Sequence, residues 1–298
     1  MSLPDHGEHH AHAPARRSRV AGAAAGIILG LLALAMTFCG SCQNVPNEAL
    51  KSSGDSGGNG GESYDQWVSE ARGLYAEQPH SEQRLRKAAE KFSKAAGAKA
   101  DDYAMLCDAA RVYSWLAKYV ADNDERTQFS KEGLKFVSTA MVQKPDEPEA
   151  LYLHAVLAGR LASADKSYGL DSLGQIEKDC KRLIELGADI EHAGAHRLYG
   201  AMLLRAPGPP ISIGSLRNAR KQFELMLEKA PDWPENHVYM AELEFKWAKE
   251  KNLPEEAQKA RDRLQKYLLG AGVLPPPEAQ FEFTQWQAQA RKLIDESK

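Results

Sequence analysis

The sequence predicts an all-α protein, an α-solenoid of stacked helix hairpins, and three observations lead to this prediction. Of the 298 residues, 44 are Ala, whereas Val, Ile and Thr together number 22; helices favour Ala and strands favour β-branched residues. Apolar residues recur at helical spacing in eleven segments separated by Pro, Gly and Asp. A pattern of small, large and apolar residues followed by Pro recurs 86 residues further along the chain.

The first 42 residues are predicted to be a signal peptide or a membrane anchor. Arg16, Arg17 and Arg19 precede an uncharged run of 19 residues, 20–38. As a helix this run would be about 28 Å long, enough to cross a hydrocarbon core. Basic residues before the run and none right after it place the amino terminus in the cytoplasm and the rest outside. We therefore expect an exported chain on the periplasmic side of a bacterial membrane.

Three interpretations of this segment stay open: a signal cleaved by ordinary signal peptidase, an uncleaved single-span anchor in the inner membrane, and a lipoprotein signal ending at Cys42. The last is favoured because Gly40 and Ser41 precede Cys42 as small residues precede the modified cysteine of bacterial lipoproteins. Cys39, however, stands where that motif has Leu. A lipid on Cys42 would anchor the protein to a membrane, with the outer membrane favoured.

Residues 43–63 are predicted to form a flexible linker. They contain five Gly and four Ser and almost nothing apolar, so burial cannot offset the entropy lost on ordering. The folded domain is then 64–298. The whole chain carries a net charge of −3, and the folded part has no basic cluster, which argues against nucleic acid as a partner.

Eleven apolar stripes at helical spacing predict the helices of the folded domain. In chain order they occupy residues 64–75, 85–95, 106–120, 129–141, 151–161, 173–184, 198–204, 216–227, 238–247, 257–268 and 279–294. Two stretches, 163–173 and 206–214, interrupt the succession. The second contains Pro207, Pro209 and Pro210, which make it stiff, and a long rigid loop in a compact stack is a typical location for function.

The repeat indicates which kind of hairpin is stacked. In each copy a small residue is followed four positions later by a large residue and, three positions after that, by another apolar residue. In two copies Pro follows five positions later. The copies are Gly133, Val137, Ala140 and Pro145; Ala219, Phe223, Met226 and Pro231; and, without Pro, Ala88, Phe92 and Ala95. This is the second half of a tetratricopeptide repeat. The small residue admits the paired helix and the large one fills the groove.

The Asp-x-Pro-Glu motif after each of the first two copies is predicted to open the next helix. Asp146 and Asp232 are expected to cap, with Pro in the first turn and with Glu149 and Glu235 completing capping boxes. In the same way, the segment Asp122-Asn123-Asp124-Glu125 is expected to cap the fourth helix.

Residues 194–241 resemble a known family. The resemblance rests on Gly194, Arg197 and Gly200 in one helix, on the Ala-Pro-Gly loop at 206–208, and on the Asn-x-x-Tyr-x-Ala-Glu helix that starts at Asn236. These segments look like the T component of tetratricopeptide-associated TRAP (tripartite, ATP-independent, periplasmic) transporters. The resemblance implies an exported, often lipidated, all-helical protein that works beside a periplasmic solute-binding protein and helps to deliver small ligands for uptake.

The candidate residues for binding a ligand or a partner lie in and beside this stretch: Arg197, Tyr199, Arg205, Pro207, Gly208, Pro209, Asn236 and Tyr239. Two interpretations of Arg197 and Arg205 stay open. They form caps and ion pairs inside the stack, or they line a groove for an anionic solute or a partner carboxylate. The five tryptophans are expected to pack between hairpins rather than to line a groove.

No catalytic motif, phosphate loop or dinucleotide fingerprint is present, so we expect neither an enzyme nor a cofactor. His192 and His196 lie four apart on one predicted helical face but lack a third ligand, and no metal site is expected. Cys107 and Cys180 are expected to be buried thiols rather than a disulfide.

Two hypotheses of function remain. The first is an accessory protein of a TRAP-type uptake system that binds a solute-binding protein and, as a further alternative, also the small ligand of that protein. The second is a general scaffold for envelope or secretion complexes that binds no small ligand. The oligomeric state is left open.

Overall fold

Helices make up the folded part of the chain. The computed structural model describes residues 43–46, 49–50 and 63–298, and within these ranges it contains eleven α-helices and no strand, which confirms the predicted α-solenoid. The helices are α1 (Tyr64–Ala76), α2 (Glu82–Ala98), α3 (Tyr103–Tyr119), α4 (Asn123–Gln143), α5 (Pro148–Ala164), α6 (Gly169–Glu185), α7 (Gly194–Arg205), α8 (Leu216–Lys229), α9 (Pro234–Lys251), α10 (Pro254–Leu264) and α11 (Gln280–Glu296). Short 3-10 turns precede α6 and α11, and a π-helical turn extends α10.

Consecutive helices pack in pairs from α1–α2 to α9–α10, and α11 then packs against α9. The large residues of the repeat are fully buried in these interfaces: Phe92, Val137 and Phe223. Glycine allows the closest approaches. A Cβ atom on Gly133 would lie 2.6 Å from Leu157 Cδ2, and one on Gly200 would lie 2.4 Å from Phe223 Cε1. The spacing of small and large residues therefore sets how closely neighbouring helices pack.

Polar side chains begin four of the helices. Ser63, Asp102, Asp122 and Ser215 each accept a hydrogen bond from the main-chain N–H three residues later. Each bond satisfies one of the N–H groups that the first turn of a helix leaves without a partner. The cap predicted within residues 122–125 is confirmed, and Asp122 is the capping residue.

The caps predicted at Asp146 and Asp232 are wrong, although the prolines of the motif do begin α5 and α9. Each helix starts one residue too late for its Asp to cap it. The N-cap residues are Glu147 and Trp233, and neither side chain bonds to the first turn. Asp146 instead forms an ion pair with Arg182, with 2.8 Å between Oδ1 and Nε.

The predicted capping boxes are wrong for the same reason. Glu149 pairs with Arg111 at 2.7 Å. Glu235 pairs with Lys118 at 3.1 Å and with Arg197 at 3.3 Å. The two glutamates therefore join separate helices rather than closing the first turns of their own.

The two predicted interruptions differ. Residues 163–173 contain a helix boundary but are mostly helical, because a 3-10 turn (Lys166–Tyr168) leads directly into α6; the break expected there is short. Residues 206–214 do form a loop, and main-chain hydrogen bonds fix both ends of it. Gly214 N–H donates to Pro207 O at 2.9 Å, and Ser215 N–H donates to Leu203 O at 2.8 Å.

The start of the predicted linker lies against the folded domain. Gln43 N–H donates to Ser167 O at 3.1 Å, Val45 N–H donates to the carboxylate of Asp171, and Val45 is only 3% exposed. Leu50 N–H donates to Thr139 Oγ1 on α4 at 2.7 Å. The expectation of a flexible linker over 43–63 is therefore corrected for these positions, while residues 51–62 lie outside the described ranges. We call residues 43–46 and 49–50 the strap.

Cys107 and Cys180 are free and buried, as predicted. Burial raises the pKa of the Cys107 thiol to about 12, so it stays protonated at neutral pH. No helix among the described residues has the length and apolar character needed to cross a membrane. The predicted span, 20–38, and the predicted lipidation site, Cys42, lie outside the described residues.

The packing at Gly200 gives a test of the fold. Gly200→Ala is expected to lower the free energy of unfolding by about 1–3 kcal/mol, because a methyl group there would displace the fully buried Phe223 ring. Gly73, inside α1, has no atom within 4 Å of a built Cβ. Gly73→Ala is the matched control and should raise the stability by up to about 1 kcal/mol. Urea unfolding measures both; equal effects of the two substitutions would contradict this account of the packing.

Candidate functional site

The last helix returns to the first hairpins and closes the stack. Glu282, in the first turn of α11, accepts a hydrogen bond from Trp115 Nε1 at 2.7 Å, and its Oε1 lies 2.8 Å from His80 Nδ1. Phe281 packs on Trp115 and Tyr119, with 5.1 Å between ring centroids in both pairs. Burial alone would raise the pKa of Glu282, but the hydrogen bonds from His80 and Trp115 hold it below its usual value. An ionised Glu282 therefore links α11 to the amino-terminal hairpins.

The closed stack surrounds a cavity of about 700 Å³, within the size range of small-molecule sites. One part of its wall is aromatic and comes from Tyr75, Trp115, Tyr119, Tyr152, Trp233, Tyr239 and Trp286. Another part is aliphatic and comes from Leu153, Val156, Leu173, Ile176, Leu198 and Met202. Several lining residues are exposed, at the junction of α5 and α6 and elsewhere, so the cavity is open to solvent at more than one place: Ser163, Lys166, Leu170, Arg205, Pro207 and Glu278.

Arg197 anchors one wall of the cavity from α7. It is 7% exposed and donates to Asn236 Oδ1 at 2.8 Å, to the hydroxyl of Tyr152 at 3.2 Å and to the carbonyl of His192 at 3.2 Å. Asn236 Nδ2 donates to the same carbonyl at 3.1 Å. With its ion pair to Glu235, the guanidinium is fully engaged within the protein, which agrees with the interpretation of Arg197 as an ion-pairing residue of the stack.

Glu235 is the carboxylate that Arg197 shares with Lys118. Burial by itself would raise the pKa of Glu235, but the charges of Lys118 and Arg197 lower it to about 2. Burial likewise opposes the charged form of Lys118, and Glu235 reverses this effect so that the pKa of Lys118 is raised. All three groups are therefore ionised at neutral pH, and they connect α3, α7 and α9 across the cavity.

A left-handed turn precedes α7. Glu191, His192 and Ala193 have φ angles of 49°, 55° and 63°, a conformation that costs about 1–2 kcal/mol for each residue with a side chain. The hydrogen bonds to the His192 carbonyl hold this turn. The His192 ring lies flat on Trp233, with 3.6 Å between ring centroids, and Glu191 pairs with Arg111. Strained backbone of this kind is typical of binding sites.

This turn corrects the expectation for the two histidines. His192 lies before α7 rather than on its face, and His196, inside α7, is 2.8 Å from Gln222 Oε1 through its Nδ1. Over the described ranges, no group of three His, Cys, Asp or Glu side chains is arranged to hold a metal ion.

The structure brings together some of the candidate residues. Arg197, Arg205, Pro207 and Tyr239 line the cavity, and Asn236 bonds to Arg197 behind the wall.

Arg205 is half-exposed and forms a two-pronged ion pair with Glu242, at 2.9 and 2.6 Å. Tyr199, Gly208 and Pro209 do not line the cavity.

Several residues that line the cavity were not among the candidates from the sequence. Arg160 lies on α5 between apolar neighbours, and a lone Arg in such a segment is a signal that could have indicated it. The tryptophans were expected to pack between hairpins, yet Trp115, Trp233 and Trp286 line the cavity. Their position depends on the return of α11, which no local pattern encodes.

Five buried polar atoms of the lining have no hydrogen-bond partner in the part of the chain that the structure describes: Tyr119 Oη, Arg160 Nε, Trp233 Nε1, Trp286 Nε1 and Glu282 Oε2. Buried polar groups in proteins are almost always hydrogen-bonded. These five atoms have almost no accessible surface, so they lie within the wall rather than facing the open space of the cavity.

Fold and site together define an α-solenoid of tetratricopeptide-like hairpins that closes around a cavity of ligand size. No protein-family model matches the chain, and no curated protein sequence matches it.

The shared carboxylate gives a pH-dependent test. Glu235→Gln is expected to destabilise the protein by about 3 kcal/mol at pH 7, because it leaves Lys118 and Arg197 buried without a counter-charge. A carboxyl with a depressed pKa stabilises the folded state above its unfolded pKa and loses this effect as the pH falls through its folded pKa. The difference between the wild type and the variant should therefore shrink from about pH 4.5 towards pH 2.

Glu242→Gln is the control, because its partner Arg205 is half-exposed; it should cost less than about 1 kcal/mol. Urea unfolding at several pH values measures both variants. A constant difference for Glu235→Gln across the acidic range would contradict the assigned role.

Proposed function

We propose that this protein is an exported accessory component of a TRAP-type solute uptake system. It stands beside a solute-binding protein and receives a small ligand in its cavity. The observation that carries the proposal is the cavity of about 700 Å³, which is lined by aromatic and aliphatic side chains. A scaffold that recognises only protein surfaces needs no cavity of ligand size. The resemblance of residues 194–241 to the T component supports the same proposal.

The Pro-rich loop is the proposed contact for the solute-binding protein. Residues 207–210 are exposed, and Ile211 presents an apolar side chain that is 75% exposed. The hydrogen bonds at Pro207 and Ser215 fix the loop ends, and the prolines limit its remaining freedom. A surface that is already rigid loses little entropy on binding, which favours association. Pro207 also lines the cavity, so the docked partner would lie next to the ligand.

A capture experiment tests the proposal. The purified protein serves as bait in an envelope extract, and mass spectrometry identifies the bound proteins. We expect a periplasmic solute-binding protein among them. Recovery of secretion or outer-membrane assembly proteins alone would overturn the transport function and favour the general scaffold.

A variant of the Pro-rich loop tests the proposed contact with the solute-binding protein in the same capture experiment. Replacement of residues 207–210 by Gly and Ser should weaken capture of the solute-binding protein about tenfold, because three prolines no longer restrict the free loop. Helix content and melting temperature should hardly change, since these residues are exposed. A large fall in melting temperature with capture intact would contradict the role of the loop.

Anchoring is proposed at Cys42, by a lipid. Cys42→Ser should then release the protein from the membrane fraction into the soluble periplasmic fraction. The reason is that the acyl chains that hold it at the membrane can no longer be attached. Fractionation of cells that express the wild type and the variant measures this. A variant that stays fully membrane-bound would indicate residues 20–38 as an uncleaved span instead.

A further inference from the structure

The strap joins two helices that belong to consecutive hairpins. Two of its main-chain N–H groups donate to the start of α6, at Ser167 and Asp171, and a third donates to Thr139 on α4. α4 is the second helix of the hairpin α3–α4, and α6 is the second helix of the hairpin α5–α6. The strap is therefore a direct connection between the two hairpins, in addition to the packing of their helices.

Two apolar side chains hold the strap against the helices. Val45 is buried in the main hydrophobic core, and Leu50 packs against the same core. The side chains of Gln43 and Asn44 are exposed. Burial of apolar surface favours the docked position, and the exposed neighbours add nothing to it. Docking of the strap therefore depends on Val45 and Leu50, and a change at either one should release it.

The start of α6 has little support from its own sequence. Its N-cap residue is Tyr168, and the side chain of Tyr168 makes no capping hydrogen bond. Gly169 is the first residue of α6 and Gly174 lies in its second turn, and Gly is unfavourable inside a helix. A Cβ atom on either glycine would meet no atom within 4 Å, so close packing does not require them. The first turns of α6 therefore depend on contacts from other parts of the chain.

The 3-10 turn before α6 is fixed by contacts of its own. Asp165 accepts hydrogen bonds from the N–H of Ser167 at 2.9 Å and from its hydroxyl at 2.8 Å. The ring of Tyr168 is buried, and Lys131 of α4 lies over it at 5.0 Å. The bond of the strap to Asp171 lies beyond this turn, inside α6. The contribution of the strap is therefore expected in the first two turns of α6.

The same two turns form part of the cavity wall. Gly169, Leu170, Leu173 and Ile176 line the cavity, and Asp171, which binds the strap, lies among them in the sequence. We call these four lining residues the α6 rim. Because the residues of one helical turn are held by the same hydrogen bonds, fraying of the first turns would move the α6 rim as well.

We propose that the strap controls the order of the α6 rim. When the strap is docked, it keeps the first two turns of α6 helical and holds the α6 rim in place. When it is released, these turns open locally, and the cavity widens at this side. The inference concerns the fold and goes beyond the proposed function, because it holds whichever ligand the cavity receives.

Hydrogen–deuterium exchange on the full chain in detergent micelles tests the inference. The N–H groups of residues 173–176 bond to carbonyls of the first turn of α6, so their exchange reports opening of that turn. Val45→Asp should release the strap, because it places a carboxylate in the core beside Asp171. Exchange at 173–176 should then become at least about tenfold faster, whereas exchange at 181–184, at the other end of α6, should change less than about twofold.

Three variants serve as controls. Asn44→Asp adds the same charge on an exposed neighbour, and it should change exchange at 173–176 less than about twofold. Leu50→Asp releases the other anchor and should have the same local effect as Val45→Asp. Val45→Ala only shortens the side chain, so it should retain the fold and speed exchange at 173–176 about threefold. Unchanged exchange at 173–176 in Val45→Ala, or an equal effect of Asn44→Asp, would overturn the proposal.

A second substitution separates local support of α6 from a general role of Val45 in the core. Gly174→Ala strengthens the helix where its own sequence is weak, and in the Val45→Asp protein it should slow exchange at 173–176 about fivefold. Faster exchange in all helices of Val45→Asp, or no effect of Gly174→Ala, would show that Val45 supports the whole domain, and would overturn the proposal. Capture of a solute-binding protein is measured separately, so the proposed function can hold or fail independently of these results.

Discussion

One carboxylate holds the concave side of the stack together. Glu235 lies in the first turn of α9 and pairs with Lys118 from α3 and Arg197 from α7, so helices of three hairpins share one buried carboxylate. Lys118 is more than 100 residues away from Glu235, and the pair therefore joins parts of the stack that are distant in sequence. Removing one partner of such a buried pair is costly, because the remaining charge is left without a counter-ion.

The wall of the cavity contains the ion pairs of Glu235, a strained turn and a further cation, Arg160. Glu235 satisfies two cations, and the left-handed turn at Glu191–Ala193 holds its strained backbone through bonds from Arg197 and Asn236. Arg160 lines the same cavity and interacts electrostatically with Lys118 and Glu235.

Local patterns in the sequence predicted what is local in the structure. The helices, the buried residues of the repeat and the long loop at 206–214 follow from spacing, because each depends on neighbours within one hairpin. The cavity depends on α11 meeting the first hairpins, more than 160 residues away from Trp115, and no period in the sequence carries that information. For this reason Trp115 and Trp286 were expected to pack between hairpins. The caps at Asp146 and Asp232 failed by a single residue, which is the usual uncertainty of a helix end.

The strap changes how far the domain could travel from an anchor. A free chain of 21 residues would allow excursions of roughly 25 Å, but Gln43 is already bonded to Ser167 and Val45 to Asp171. Any attachment immediately before the strap would therefore act on the helical domain directly, without a slack segment between them.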